Sequence, residues 1–379
     1  MKSVHFRFLC MLLIIVAIMC GCAKESQQTA IDSDIAGSMD LSYAGQFSVD
    51  YLVNGTSLIT IAGKEEFLLV PENIAVPENI GDSIIVLKQP LDNIYLAASS
   101  AMDYFARLDA LGSVRFTSTK SADWTLDEVK KALDNGGMIY AGKYSAPDYE
   151  LLLSQGTSIA IENTMIWHSP QTQEQLEGLG IPVLIDRSSY ESHPLGRMEW
   201  IKLYGLLVGK EAEAAGFFDK QVKKLDRILN AQKSSACPTV AFFYITNNGS
   251  VNVRKSGDYI SKMIEMAGGR YILSENAGDE NALSTTNMQM EAFYAAACDA
   301  DILIYNTTVD DEMYTLDDLL QKSELMEDFK AVRNGNVWRM GGSMFQQTTG
   351  LADLLVDLHS VITGEADTGN RLTFLSRVE

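Results

Sequence analysis

Strand and helix patterns alternate twice along this 379-residue chain, and one long helical stretch separates the two series. In the first, a helix-like stretch at 100–111 leads to a strand at 114–117, and an acid-rich helix at 125–134 leads to 138–141. A helix at 148–155 then precedes a strand at 158–162, and a helix at 169–179 stops at Gly180 before a strand at 182–186. Helices that stop at glycine, with Val/Ile runs between them, are the marks of βαβ units in a parallel sheet. Beyond residue 236 the alternation restarts: 240–245, a helix at 258–267, 290–297, 301–305, 316–322, 337–340 and a closing helix at 348–363. Ahead of both series, 47–52, 57–62, 67–70, 84–87 and 94–98 read as short β-type runs. Among them Pro71-Glu72-Asn73-Ile74 recurs as Pro77-Glu78-Asn79-Ile80, an extended loop and not a solenoid, because no longer period follows.

The separating stretch, residues 194–233, has no internal proline and few strand signals. Trp200, Leu203, Tyr204 and Leu207 keep a helical spacing, as do Ala214, Phe217, Phe218, Val222, Leu225, Ile228 and Leu229 after Gly209. A helix over 210–232 would be about 35 Å long, a stiff strut between two lobes. The expected fold class is α/β, with two Rossmann-like lobes joined by a single long helix and a cleft between them. The expected organisation is a signal peptide at 1–21, anchor and flexible tether at 22–42, N-terminal lobe at 43–205, connecting helix at 206–235 and C-terminal lobe at 236–379.

Lys2 and Arg7 precede an apolar run at 8–19, then Cys20-Gly21-Cys22 and a polar stretch: a secretion signal too short to span a bilayer. Met19-Cys20-Gly21-Cys22 resembles a bacterial lipobox, which implies lipidation at Cys22. The expectation is an extracytoplasmic body, at the cell surface or in the periplasm, held to the cell membrane by lipid alone. Residues 23–40, polar and without period, read as a flexible tether. Loss of residues 1–21 removes two cations and no acid, taking the net charge from −20 to −22. Such a body does not attract nucleic acid or anionic lipid. Only Cys237 and Cys298 remain beyond the signal, and they read as small buried hydrophobes.

Pro147-Asp148-Tyr149-Glu150-Leu151-Leu152, Leu179-Gly180-Ile181-Pro182-Val183, Ser188-Ser189-Tyr190-Glu191 and Pro194-Leu195-Gly196-Arg197-Met198-Glu199-Trp200-Ile201-Lys202 resemble the substrate-binding proteins of iron-siderophore, haem and cobalamin ABC importers. Val253-Arg254-Lys255-Ser256-Gly257, Met266-Ala267-Gly268-Gly269-Arg270 and Met290-Glu291-Ala292-Phe293 fall in that family's order. The resemblance implies a two-lobed binding protein with a rigid connecting helix that delivers ligand to a permease dimer with its ATPase subunits. It also implies that Glu150 and Glu291, one per lobe, dock into basic pockets of that dimer. The plainer reading is that each is an acid favoured at a helix N-terminus by the macrodipole.

Open α/β sheets place ligands beyond the carboxyl ends of their strands. The candidate ligand contacts are therefore Ser100, Trp124, Trp167, His168, Arg187 and Ser189 from the first lobe, and Arg254, Lys255, Asn306 and Phe345 from the second. For each aromatic the plain alternative is core packing, and for Arg254 and Lys255 a solvated turn. Glu191, His193 and Arg197 read as braces ahead of the strut. A bare zinc or manganese carrier would need more than the three histidines left, His168, His193 and His359. Motifs of hydrolases, zinc proteases and phosphate loops are missing. The expectation is a protein that performs no chemistry and has no resident cofactor. Its cargo would be a ferric chelate, haem or corrinoid, with a metal carrier, an exported enzyme or a sensory lipoprotein as alternatives.

Overall fold

The computed structural model describes residues 34–78, 80–230, 237–273, 285–308, 313–341, 344–368 and 371–379. The expected signal peptide and the lipidation expected at Cys22 lie outside the described residues. Among those residues no helix is long and apolar enough to cross a membrane.

The chain begins with a five-stranded sheet in sequence order: β1 (Ile35–Ser38), β2 (Phe47–Leu52), β3 (Ser57–Ile61), β4 (Glu65–Val70) and β5 (Ile85–Lys88). β1 to β4 are antiparallel neighbours and β5 joins β4 in parallel. Phe47, Val49, Ile59, Ile61, Phe67 and Leu69 pack into the main core. Leu52, Leu58, Leu68, Val70 and Ile84 form a second cluster, covered by Ile74 and Ile80 from the two Pro-Glu-Asn-Ile copies. The duplication thus supplies an apolar lid for one face of the sheet. The tether expected to reach residue 42 ends earlier, since Ile35–Ser38 already pairs with β2. All four of its residues are exposed, so ladder hydrogen bonds and not burial make it a strand.

The first lobe is a parallel sheet in the order β12 (Val183–Asp186), β11 (Ala160–Asn163), β6 (Ile94–Leu96), β7 (Val114–Thr117) and β8 (Ile139–Tyr140). A hairpin of β9 (Gly142–Lys143) and β10 (Ala146–Pro147) follows β8. Helices fill the crossovers at Met102–Arg107, Asp127–Asp134, Tyr149–Ser154 and Pro170–Gly178. The second lobe has parallel β13 (Thr239–Ile245), β17 (Ile302–Asn306) and β18 (Val337–Met340) at its centre. Antiparallel β14 (Val251–Arg254), β16 (Thr285–Met288) and β19 (Leu375–Arg377) flank them, and β15 (Arg270–Tyr271) adds a short parallel pairing to β13.

The strut is the helix Glu211–Leu229, 19 residues and about 28 Å long, inside the expected 206–235. It is entered through Gly209 at φ 68°, in the left-handed region that glycine tolerates, after the buried helix Ile201–Leu207. Gly205 lets the two helices meet, for a β-carbon there would stand 2.5 Å from that of Ala214. Ala214, Phe218, Leu225 and Ile228 form the buried stripe. The Tyr51 hydroxyl bonds Glu211 at one end, while Lys224 pairs with Asp353 and Arg227 with Glu365 at the other. The strut is therefore tied to the first sheet and to the second lobe.

The block Glu191 to Lys202 grips the N-terminal strap. The Glu199 carboxylate accepts the backbone N–H groups of Ser42, Tyr43 and Ala44 at 2.7–3.1 Å and pairs with Lys202 at 2.9 Å. Lys202 also donates to the Asp40 carbonyl. Glu191 accepts from Gly45 N, Gln46 N and the Trp200 indole. These two buried acids hold five consecutive residues of backbone, a stronger role than the bracing expected of the block.

Candidate functional site

The carboxyl ends of the first lobe's strands converge on one carbonyl. Ala97 O, just past β6, receives Ser118 Oγ from beyond β7 and Asn163 Nδ2 from the end of β11, each at 3.3 Å. The Asn163 side chain also caps the short helix Thr164–His168 through Met165 N at 2.8 Å. That cap turns Trp167 and His168 outward, and both are exposed. From the end of β12 comes Arg187, whose guanidinium lies 5.2 Å from the Trp167 ring and 4.9 Å from that of Tyr190. The two rings meet edge to face at 5.6 Å. Arg187 Nε donates to Gln46 Oε1 at 3.0 Å, so the strap that Glu191 holds also orients this cation. Nearby Glu65 is raised by burial and drawn back by Arg187. Ser189 stands half-buried in the same turn.

A guanidinium set against two aromatic rings that themselves meet edge to face is held in one direction. Such a group recognises carboxylate, phosphate or catecholate oxygens, and the rings offer flat apolar walls. Of the expected contacts, Trp167 and Arg187 are thus brought together, with Ser189 in the turn after Arg187. Tyr190 and Gln46 were missed. Tyr190 lay in plain view inside the Ser188–Tyr190 segment, whereas no local signal links Gln46 to a residue so far along the chain.

The second lobe faces this edge through Met344–Gln346 and Thr348–Gly350. Gln346 spans the gap, accepting Thr125 N at 2.7 Å and Thr125 Oγ1 at 2.8 Å while donating to Asp123 O at 2.8 Å. Thr348 Oγ1 donates to Ser100 O at 2.9 Å, and Thr349 N to Asp103 at 2.7 Å. Burial raises the Asp103 carboxyl above its ordinary value, and the Thr349 bonds pull it back. Ser100 and Phe345 therefore sit where the lobes touch.

Several expected contacts are otherwise occupied. Trp124 is 1% exposed and spends its indole N–H on Thr119 O, a core residue and not a cleft wall. Asn306 is buried at the end of β17 and folds its own turn by accepting from Thr308. Arg254 is not on a solvated turn: it pairs with Asp258 at 3.4 Å, and its guanidinium lies 5.3 Å from the Phe345 ring and 5.7 Å from that of Phe242. Burial raises the Asp258 carboxyl, with Arg254 and Arg197 opposing. Lys255 is half-buried, and its carbonyl accepts from Ser261. Glu150 and Glu291 are both exposed in the first turn of their helices, Tyr149–Ser154 and Met290–Ala297, ahead of β11 and β17.

Among the described residues no three His, Cys, Asp or Glu side chains are grouped to hold a metal ion, and Cys237 and Cys298 are unpaired. A hollow of about 660 Å³ opens elsewhere, at the amino ends of β13 and β17, lined by Pro238, Asp301, Val361 and Asp367. It lies at the opposite edge of the sheet from the lobe interface.

An uncharacterised lipoprotein of Methanocaldococcus jannaschii is 24% identical over 96% of this chain and 93% of its own. A second lipoprotein of that organism is 27% identical over 89% of each chain. Among solved structures, a periplasmic binding protein from Veillonella parvula superposes with a TM-score of 0.62 at 15% identity, over 82% of this chain and 98% of that one. A periplasmic haem-binding protein from Pseudomonas aeruginosa gives 0.57 at 18% identity, over 76% and 98%. The profile of the family described as periplasmic binding protein matches residues 101–343, from the first crossover helix to the edge of the segment that bridges the lobes. With the two-lobed α/β fold, this match makes the chain a solute-binding member of the periplasmic binding protein family.

Proposed function

We propose that this chain is the extracytoplasmic solute-binding subunit of an ABC importer, with a bulky metal chelate as cargo: an iron-siderophore, haem or a corrinoid. The observation that carries the reading is Arg187 packed against both Trp167 and Tyr190 at the carboxyl ends of the first lobe's strands. A planar or catecholate ligand would stack on the rings and accept from the guanidinium, and Ser100, His168, Ser189, Lys255 and Phe345 would be its further contacts. Solved relatives in fold include haem-binding proteins and a protein described as an ABC transporter substrate-binding protein, which supports both cargo class and partner. The protein would capture, hold and hand over, with no bond made or broken. Cys22 would carry the lipid, as its relatives' description as lipoproteins supports.

Delivery would use Glu150 and Glu291. Each is exposed, each belongs to a different lobe, and the strut fixes their separation. A permease dimer presents two equivalent surfaces, so one acid per lobe at a fixed distance matches its symmetry. The test is Glu150→Ala/Glu291→Ala. It should bind ligand as the parent does yet fail to support uptake, and reversal of both to Arg should be worse through like-charge contact. Loss of ligand binding in the double variant, or normal uptake, would remove these acids from the docking role.

A further inference from the structure

The first lobe's sheet carries an acid that the proposed site does not use. Glu162, on β11, is 0% exposed, and among the described residues neither carboxyl oxygen has a hydrogen-bond partner. The parallel register puts Ile185 of β12 beside it on one side. On the other, Ala97 lies one residue past β6, with its N–H bonded to Ile161 O. Ser118 and Ala141 continue the same level across β7 and β8, so small side chains border the acid at the cleft end of the sheet. Tyr95, two residues before Ala97, is also fully buried, with Ser118 as the polar side chain beside its hydroxyl.

We propose that Glu162 is a buried proton-binding site, and that its protonation holds the Thr164–His168 segment against the lobe. An ionised carboxylate without a partner in an apolar layer is severely disfavoured, whereas the neutral acid is tolerated. Burial alone acts on this carboxyl and pushes it up to about 8. Its titratable neighbour is Tyr95, on which Tyr149 and Tyr140 also act, and among the described residues no lysine, arginine or histidine acts on either group. Leu152 and Leu176 from the covering helices share this apolar cluster with Ile166 of the Thr164–His168 segment. Asn163, next in sequence after Glu162, caps that segment. Ionisation must admit water to the layer, and the two-sided hold on the segment, Ile166 below and Asn163 at its start, is what would give way. Trp167 and His168 would move with it.

This inference goes beyond the proposed function and needs no cargo for its test. The folded acid binds its proton more tightly than the unfolded chain does, so the stability it confers is complete below the ordinary value near 4.5. That stability drains as pH rises through about 8. Amide-exchange protection of residues 163–168, corrected for intrinsic rate, would be followed from pH 5 to 9 in the mature chain and in Glu162→Gln. Between those limits the parent should lose up to about tenfold protection per pH unit relative to the variant, which keeps a neutral side chain throughout. Parallel profiles would overturn the proposal. Should Glu162→Gln fail to fold, the infrared band of a protonated carboxyl decides in the parent alone. The proposal requires such a band at pH 7, lost above pH 8, and its absence at pH 7 would overturn it.

Discussion

Glu199→Ala is predicted to detach the N-terminal strap and, through it, to loosen the Arg187 cluster. The carboxylate is fully buried and receives three backbone N–H groups together with the Lys202 ammonium. Its removal leaves a buried cation without its counter-ion, a change worth about 3–5 kcal/mol. Each orphaned N–H adds about 1–3 kcal/mol if it stays buried. These terms do not add, because peeling the strap away returns all four donors to water, so the loss is capped by the strap's own docking energy. The expected destabilisation is therefore about 3–5 kcal/mol, and Glu199→Gln, which keeps an acceptor but loses the ion pair, should lose less. Urea unfolding gives the magnitude, and amide exchange at Ser42, Tyr43 and Ala44 locates it. Because Gln46 follows in the same strap and fixes Arg187 Nε, the Ala variant should also bind an anionic chelate more weakly. A loss below about 1 kcal/mol with those amides still protected would refute the reasoning, since 1 kcal/mol is within reach of an ordinary substitution.

Arg187→Ala should weaken binding of an anionic chelate by about 10- to 100-fold, the worth of one charge-assisted hydrogen bond, and Trp167→Ala by a comparable factor; unchanged dissociation constants in both would move the site elsewhere. Cys22→Ser should release the protein from membranes or leave its signal uncut, so a variant that fractionates and migrates like the parent would contradict lipidation. Because the strut is fastened at both ends and Gln346 already bridges the lobes, ligand should change the radius of gyration only slightly, and a clear fall in solution scattering would count against a rigid connection.

What the sequence disclosed and what it hid follow from the range of the interactions involved. The strands and helices of both lobes rest on local period, and the expected runs at 47–52, 169–179 and 337–340 lie within a residue of the observed elements. β1 was hidden because it owes its form to β2 and buries nothing. Trp124 and Asn306 sit at strand-end loops, where position suggested ligand, but their polar atoms are used within five residues of their own backbone. Glu191 and Glu199 stood in the blocks that carry the resemblance, yet the backbone N–H groups they hold lie 145–157 residues earlier in the chain, beyond any spacing rule. Trp167 and Arg187 were each legible as residues that follow a strand, but their pairing was not, because it depends on β11 and β12 being neighbours in the sheet.

The central claim, capture of a bulky metal chelate, is tested most directly by native mass spectrometry with tryptophan-quench titration. The mature chain would be presented in turn with ferric siderophores, haem and cobalamin, with zinc and manganese ions as controls. The account predicts a one-to-one complex with a member of the chelate set, quenching that Trp167→Ala diminishes, and no stoichiometric uptake of either bare ion. Stoichiometric binding of zinc or manganese alone, or no complex with any chelate at micromolar concentration, would contradict it.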